Sequence, residues 1–357
     1  MNNKISGIEA FFIMCMFSIN TIILNAPKLI IENNQTGAFI NSIYIGIIAL
    51  IFLIIMNKLL NYFPNFDILD IANFLGGKIF KIFIGFLFIL IFSIIICTFI
   101  AQFIILLKTV YFKDSPILFI LMFFILCILF SNLNGFISIK NSICFYFPIS
   151  IITLSFIFIN NISNFTFIKV TPVFGQSFYN TFIQGFSNIF VFTNLILILF
   201  LPPFCNNSKS LKKATIFSLI FSCILLTLTI GILLSIYPFD NSISNFNPLY
   251  SLTRRIELSQ FIERADALFV TIALFSCFSY IGFLAYLITQ TIKKIFILEN
   301  EKILIYSITP YIIGFTFLLI NTNTYNKSDI YKNLFNITIY IISPLILFIS
   351  ALKKKLM

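Results

Sequence analysis

The chain has 357 residues, of which 60% are hydrophobic and only 10% charged, with a mean hydropathy of +1.05. Soluble domains run at roughly 45–50% apolar and about 25% charged, so no aqueous core can hide this much apolar surface, and a soluble enzyme or binding module is excluded. The net charge of +11 comes mostly from Lys residues between apolar runs, where positive charge orients a chain in a bilayer and does not indicate nucleic-acid binding.

A bilayer core about 30 Å thick needs roughly 20 apolar residues per helix. Runs of that size predict an all-α polytopic membrane protein with about ten spans, at 8–31, 38–56, 82–107, 117–133, 143–159, 179–201, 214–237, 266–290, 303–320 and 334–352. They make one transmembrane domain over 1–357, with candidate repeat halves 1–160 and 161–357. Lys4 precedes the first run as in a secretory signal, but Glu9 interrupts it and no small-residue cleavage site follows, so it reads as an uncleaved span. Ten spans put both ends on one side, and that side carries fourteen of the 23 Lys and Arg residues, Lys209, Lys212 and Lys213 among them. The excess predicts cytoplasmic N- and C-termini. The Lys353-Lys354-Lys355 tail reads as a stop-transfer anchor first and a membrane-lipid patch second.

The first span is interrupted by Ser18, Asn20, Thr21, Asn25 and Pro27, and the sixth by Gln184, Gly185, Ser187, Asn188, Thr193 and Asn194 before Pro202-Pro203 closes it. Paired interruptions in corresponding segments predict a 5+5 inverted-repeat transporter fold with a midplane site. At such a break, helix N-termini face a carboxylate and helix C-termini offer carbonyls to an ammonium or Na⁺, which suits a zwitterionic amino acid. The ligand-binding candidates are therefore Ser18, Asn20, Thr21, Gly185 and Asn188, joined across the cavity by Thr98 and Gln102 of the third span and Ser276 and Ser279 of the eighth. The competing reading for each is a bond across helices worth about 1 kcal/mol.

The stretch 238–265 is the longest polar segment on the side away from the termini. Ile256, Leu258, Phe261, Ile262 and Ala265, with Ser259 as an N-cap, predict a surface-lying helix or re-entrant turn there. Arg254, Arg255, Glu257, Glu263, Arg264 and Asp266 form the densest mixed-charge cluster and include all three arginines. Their guanidinium forks suit gating or subunit contact, against the alternative of a solvated, self-paired loop.

Seven cysteines fall singly, with no C-x-x-C pair and no histidine, so no metal site is expected. A P-loop, HExxH motif, nucleophile elbow and paired intramembrane carboxylates are all missing from the sequence, so neither catalysis nor a cofactor is expected. Glu9 and Asp266 lie near the ends of spans, which leaves no buried proton relay, whereas a Na⁺ site made of hydroxyls and carbonyls stays open.

Four stretches resemble the GerAB/GerKB family of spore germination proteins. The start, Ile5-Ser6-Gly7-Ile8-Glu9-Ala10-Phe11-Phe12 with Phe17-Ser18-Ile19-Asn20-Thr21 and Pro27, is similar to the family's opening helix. Asn132-Leu133-Asn134-Gly135 through Lys140 to Phe147-Pro148 resembles its fourth-to-fifth span junction, and Thr171-Pro172-Val173-Phe174-Gly175 to Gly185 and Pro202-Pro203 its sixth span. Arg254-Arg255 followed by Phe261-Ile262-Glu263-Arg264 resembles the element before its eighth span. The chain departs from the pattern at Asn20, where a glycine is expected, at Glu9, where the family has Gln, and at Lys140, where it has Arg.

The resemblance implies the leucine-transporter-type (LeuT) fold of the amino acid/polyamine/organocation superfamily. It also implies a B subunit of a germinant receptor in the spore inner membrane, binding an amino acid or similar germinant and acting with an A-type membrane subunit and a C-type lipoprotein. The alternatives are a secondary amino-acid or cation transporter of the same superfamily, or a membrane scaffold with a vestigial pocket.

Overall fold

The computed structural model describes residues 4–24, 26–162, 171–172, 174–175, 177–205, 207–237, 247–256, 265–322 and 335–356. Among these, eight helices are long and apolar enough to cross a membrane, and the chain is an integral membrane protein. The first crossing comprises α1 (Gly7–Leu24) and α2 (Ala26–Asn34), followed by α3 (Ala38–Leu60), α4 (Ile68–Val110), α5 (Ile117–Leu133) and α6 (Gly135–Asn161). The sixth crossing is a π-turn at Tyr179–Ile183 followed by 3₁₀ segments Gln184–Val191 and Thr193–Leu199. Then come α7 (Ser208–Ile236), the short α8 (Pro248–Thr253), α9 (Ala265–Phe296), α10 (Glu301–Asn321) and α11 (Ser343–Leu356), the last preceded by a π-turn at Ile337–Ile342.

The expected span 117–133 coincides with α5, and 303–320 lies inside α10. Several helices reach further than hydropathy predicts, α7 starting at Ser208 and α9 running on to Phe296. α6 starts at Gly135, beyond Lys140, and α4 starts at Ile68 and turns at Gly76-Gly77 before it enters the apolar run. Gly77 has φ +71° and ψ −165°, a conformation essentially restricted to glycine. The α8 helix was not expected, while the apolar set from Leu258 to Ala265, with the Ser259 cap, lies almost wholly outside the described residues.

Lipid exposure follows helical periodicity. On α3, Ile47, Ile51 and Ile54 face outward, while Asn41, Ile45, Ala49 and Leu53 are buried on the other face. α1 sits at the centre, packed against α7, α6, α9 and the sixth crossing, and α9 packs against α4, α5 and α6.

The face bearing residues 4–6 and α11's end is stapled by charge. A reciprocal capping box starts α1, with Glu9 N–H donating to Ser6 Oγ (3.2 Å) and Ser6 N–H to Glu9 Oε2 (2.7 Å). The same carboxylate takes a 2.7 Å hydrogen bond from Lys140 Nζ, tying α1 to α6. A second capping box, Asp67 with Asp70, starts α4, and Lys294 at the end of α9 pairs with both carboxylates. At the other end of this first piece of α4, Lys353 donates to Phe74 O (3.0 Å) and Leu75 O (3.1 Å). Acids at a helix start and a lysine on its last carbonyls both complement the helix dipole.

Candidate functional site

A cavity of about 60 Å³ lies at the bundle centre, beside the junction of α1 and α2. At roughly 10–15 Å³ per water this holds a few water molecules. Its polar lining is Thr21 from α1 and Thr98 and Gln102 from α4. Leu24, Leu29 and Ile95 supply aliphatic wall, and Phe99, Phe190, Tyr280 and Phe335 supply aromatic wall. The lining carries no charged side chain, so a neutral or zwitterionic guest fits it better than a net ion.

The junction itself interrupts the helical hydrogen-bond ladder. Pro27 stands in the first turn of α2 and has no amide hydrogen, so Ile23 O, four residues earlier, loses its ordinary helical donor. Thr21 Oγ1 donates to Ser18 O at 2.8 Å and lies 3.4 Å from Val191 O, which joins the first crossing to the sixth beside the cavity. At Phe192 the sixth crossing leaves helical geometry (φ −81°, ψ 59°) between its two 3₁₀ segments.

The other expected ligand residues divide among four places. Asn20 is buried between α1 and α9, where Ser276 Oγ donates to its Oδ1 (3.0 Å) and its Nδ2 donates to Met16 O (2.9 Å) and, at 3.5 Å, to Ser276 O. Ser18 pairs with Ser222 Oγ of α7 at 2.7 Å. Ser279 lines a separate groove of about 280 Å³ between α5, α6 and α9, with Ser131, Ser138 and Ser142.

Gly185 and Asn188 belong to a buried amide cluster. Asn33 of α2 donates to Asn188 Oδ1 (3.0 Å), Asn188 donates to Asn41 Oδ1 of α3 (3.1 Å), and Asn41 donates to Thr181 O (2.8 Å). A Cβ at position 185 would lie 2.2 Å from Asn41 Nδ2, so only glycine lets the sixth crossing approach this closely. Asn34 is also buried here, and neither of its amide atoms has a hydrogen-bond partner among the described residues. The cluster couples α2, α3 and the sixth crossing directly.

The mixed-charge loop is described in part. Arg254 and Arg255 are exposed just past α8, and the Arg255 guanidinium lies 4.4 Å from the centre of the Tyr237 ring. Asp266 is buried at the start of α9 and accepts a 3.0 Å hydrogen bond from Tyr250 Oη of α8. Burial first, and this hydrogen bond second, push the Tyr250 hydroxyl up to about 12, so it remains a donor. Glu263 and Arg264 lie outside the described residues.

Sequence reasoning overlooked Asn247. Its Oδ1 caps α8, accepting from Leu249 N–H (3.1 Å) and Tyr250 N–H (3.3 Å), while its Nδ2 donates to Ile23 O (2.8 Å) and Leu24 O (2.9 Å). The Asn247-Pro248 pair is an N-cap and first-turn proline signature that marks the helix start, although nothing local reveals its partner on α1. Asn33, just past the first expected span, and Asn41, inside the second, were likewise visible but unassigned.

Known proteins place this architecture. The fold matches a Na⁺-coupled sialic acid symporter in its substrate-bound outward-open state (TM-score 0.66, 13% identity, 95% of this chain and 80% of that one). It also matches a manganese transporter of Eremococcus coleocola (TM-score 0.56, 13% identity, 95% and 76%). The fold is thus the LeuT type, with five-plus-five inverted repeats and interrupted first and sixth helices.

Among curated proteins of Bacillus subtilis (strain 168), spore germination protein KB is 24% identical over 192 residues, 52% of this chain and about half (49%) of that protein's length. The putative spore germination protein YfkT is 22% identical over 364 residues, covering 99% of this chain and 98% of its own. Spore germination protein B2 is 23% identical over 274 residues, covering 74% and 72%. The profile of the spore germination protein family spans residues 4–326, nearly all of the interlocked bundle, and the chain belongs to that family.

Proposed function

We propose that the protein is the membrane-embedded B subunit of a nutrient germinant receptor and binds an amino acid or similar small germinant in the central cavity. The observation that carries this reading is the cavity's position: it abuts the α1–α2 junction, and Thr21, Thr98 and Gln102 line it without any net charge. Occupancy shifts an equilibrium between two arrangements of the bundle, which requires the ligand to prefer one of them. The receptor passes that shift to an A-type membrane subunit and a C-type lipoprotein. Arg254 and Arg255, exposed beside α8, are the contact residues in this reading.

The test is germination of spores lacking the gene, scored against amino acids and other nutrients, with complementation by the wild-type gene and by Gln102→Ala. Loss of response to one ligand class, restored by the wild type and not by Gln102→Ala, supports the receptor and its pocket. A response to every nutrient equal to that of the parent strain overturns it.

A further inference from the structure

The groove of about 280 Å³ between α5, α6 and α9 is larger than the central cavity and shares no lining residue with it. Along α6 its lining is Asn134, at the helix start, then Ser138, Ser142 and Tyr146 at intervals of one turn. From Asn134 to Tyr146 the helix rises about 18 Å, more than half of a bilayer core about 30 Å thick. The Asn134 end lies at the face bearing residues 4–6: Phe136 stacks on Phe204 with 4.8 Å between ring centres, and Phe204 O accepts from Ile5 N–H at 2.7 Å. At the far end the rings of Tyr146 and Phe275 stack at 5.4 Å. The groove therefore passes from asparagine and serine at the membrane boundary to aromatic rings near the midplane. Phe130 and Phe275 are exposed on its rim, so it opens through the lipid-facing side wall of the bundle.

Its polar end is rich in acceptors and poor in donors. Ser131, Ser142 and Ser279 each give their hydroxyl proton to a carbonyl of their own helix, Ile128 O (3.0 Å), Ser138 O (3.0 Å) and Phe275 O (3.3 Å), and keep oxygen lone pairs to offer. Asn134 spends an N–H on Phe130 O at 2.9 Å. Next to Ser131, Asn132 Oδ1 is buried with no hydrogen-bond partner among the described residues, so this corner of the wall is short of donors. No charged side chain lines the groove, and a charge brought into it would find no counter-ion there.

We infer that the groove is a site for an uncharged, hydroxyl-bearing glycerolipid, of which diacylglycerol is the simplest, standing in the leaflet on the side of residues 4–6. The lipid's hydroxyl donates to the serine oxygens, and one acyl chain runs inward past Phe278 to the Tyr146–Phe275 stack. An acyl chain alone would leave those oxygens without a donor, and a phosphate head would bring a charge the lining does not neutralise. Asn132 Nδ2 already pins α5 to α9 through Gly282 O (3.2 Å), so the walls are in place before the lipid arrives. The site stands whether or not the central cavity takes a germinant.

The chain contains no tryptophan, so Phe130→Trp puts a single fluorophore on the groove's rim, and Ile51→Trp puts one on the lipid-facing side of α3 as a reference. Each full-length protein is placed in phosphatidylcholine nanodiscs with a small fraction of dibrominated dioleoylglycerol, trioleoylglycerol or dioleoylphosphatidylglycerol, whose bromines quench on contact. At the rim, the diacylglycerol is expected to quench about fivefold more effectively per mole than the triacylglycerol, the preference that one net hydrogen bond supplies, with no preference at the reference position. Adding Ser142→Leu, which fills the groove, is expected to abolish the preference, and Ser138→Ala with Ser142→Ala, which keep the space and remove two oxygens, to lower it. Equal quenching by the two neutral lipids at the rim overturns the site and leaves the groove to a partner helix. A preference for phosphatidylglycerol, or a diacylglycerol preference that survives both sets of substitutions, overturns it as well.

Discussion

At the scale of single residues, the polar side chains of the crossings separate into those that face space and those that lock helices. Thr21 and Gln102 face the cavity, whereas Asn20 spends its amide on Met16 O and Ser276. A buried amide in lipid keeps such partners because each unsatisfied polar group is costly there. Asn20→Ala and Ser276→Ala, singly and together, are therefore expected to show a coupling energy of about 1 kcal/mol in detergent unfolding, within the range known for interhelical bonds in membranes. Ligand affinity in Asn20→Ala should change less than in Gln102→Ala. Additive stability losses in the double mutant would show that Asn20 is not a helix tie. Both residues were legible as candidates, because a polar residue inside an apolar run draws attention. Which of them touches the cavity depends on rotation about the helix axis, and α1 is too uniformly apolar for its sequence to reveal that.

At the scale of elements, the first piece of α4 behaves as a bolt across one face of the bundle, gripped by Lys294 at its start and Lys353 at its end. Asp67 is only 5% exposed, and burial, reinforced by the neighbouring charge of Asp70 and opposed by Lys294, pushes its carboxyl up to about 6 from an ordinary 3.8. Between about pH 4 and pH 6 the folded chain keeps a proton that the unfolded chain has released. The contribution of Asp67 to stability then falls as pH rises through that window and levels off above it. Asp67→Asn is expected to flatten the slope, as read from unfolding midpoints across that window. Stability that rises with pH in the wild type and not in the variant would contradict the assignment. This bolt was invisible to hydropathy because Asp70, Lys78 and Lys81 interrupt the apolar pattern and Gly76-Gly77 reads as a helix end.

At the scale of the whole molecule, the LeuT-type fold is shared with solved transporters, so the fold by itself leaves receptor and transporter as alternatives. The lining of the central cavity carries no charged side chain to accept a coupled proton, whereas hydroxyls and carbonyls suffice for Na⁺, so an uptake measurement decides between the two. On the receptor reading, the purified chain in proteoliposomes is expected not to accumulate amino acids under an imposed Na⁺ or proton gradient. Accumulation against a concentration gradient by the isolated chain would move the assignment to secondary transport.

The positions of the crossings were set by local composition: covering a bilayer core takes about 20 consecutive apolar residues, and such a run is visible wherever it occurs. That is why α5 and α10 stand where hydropathy puts them, and why α4, α6 and α7 start earlier than expected, at charge-bearing turns. The interruptions in the first and sixth crossings were legible too, since proline, glycine and asparagine carry their backbone consequences with them. Partnership was decided by the tertiary structure alone. Asn20 meets Ser276 across 256 residues, Asn41 meets Asn188 across 147, and Asn247 reaches Ile23 across 224. A hydrogen bond depends on where two atoms stand within 3 Å of each other, and nothing local to either asparagine specifies which helix the bundle will bring beside it.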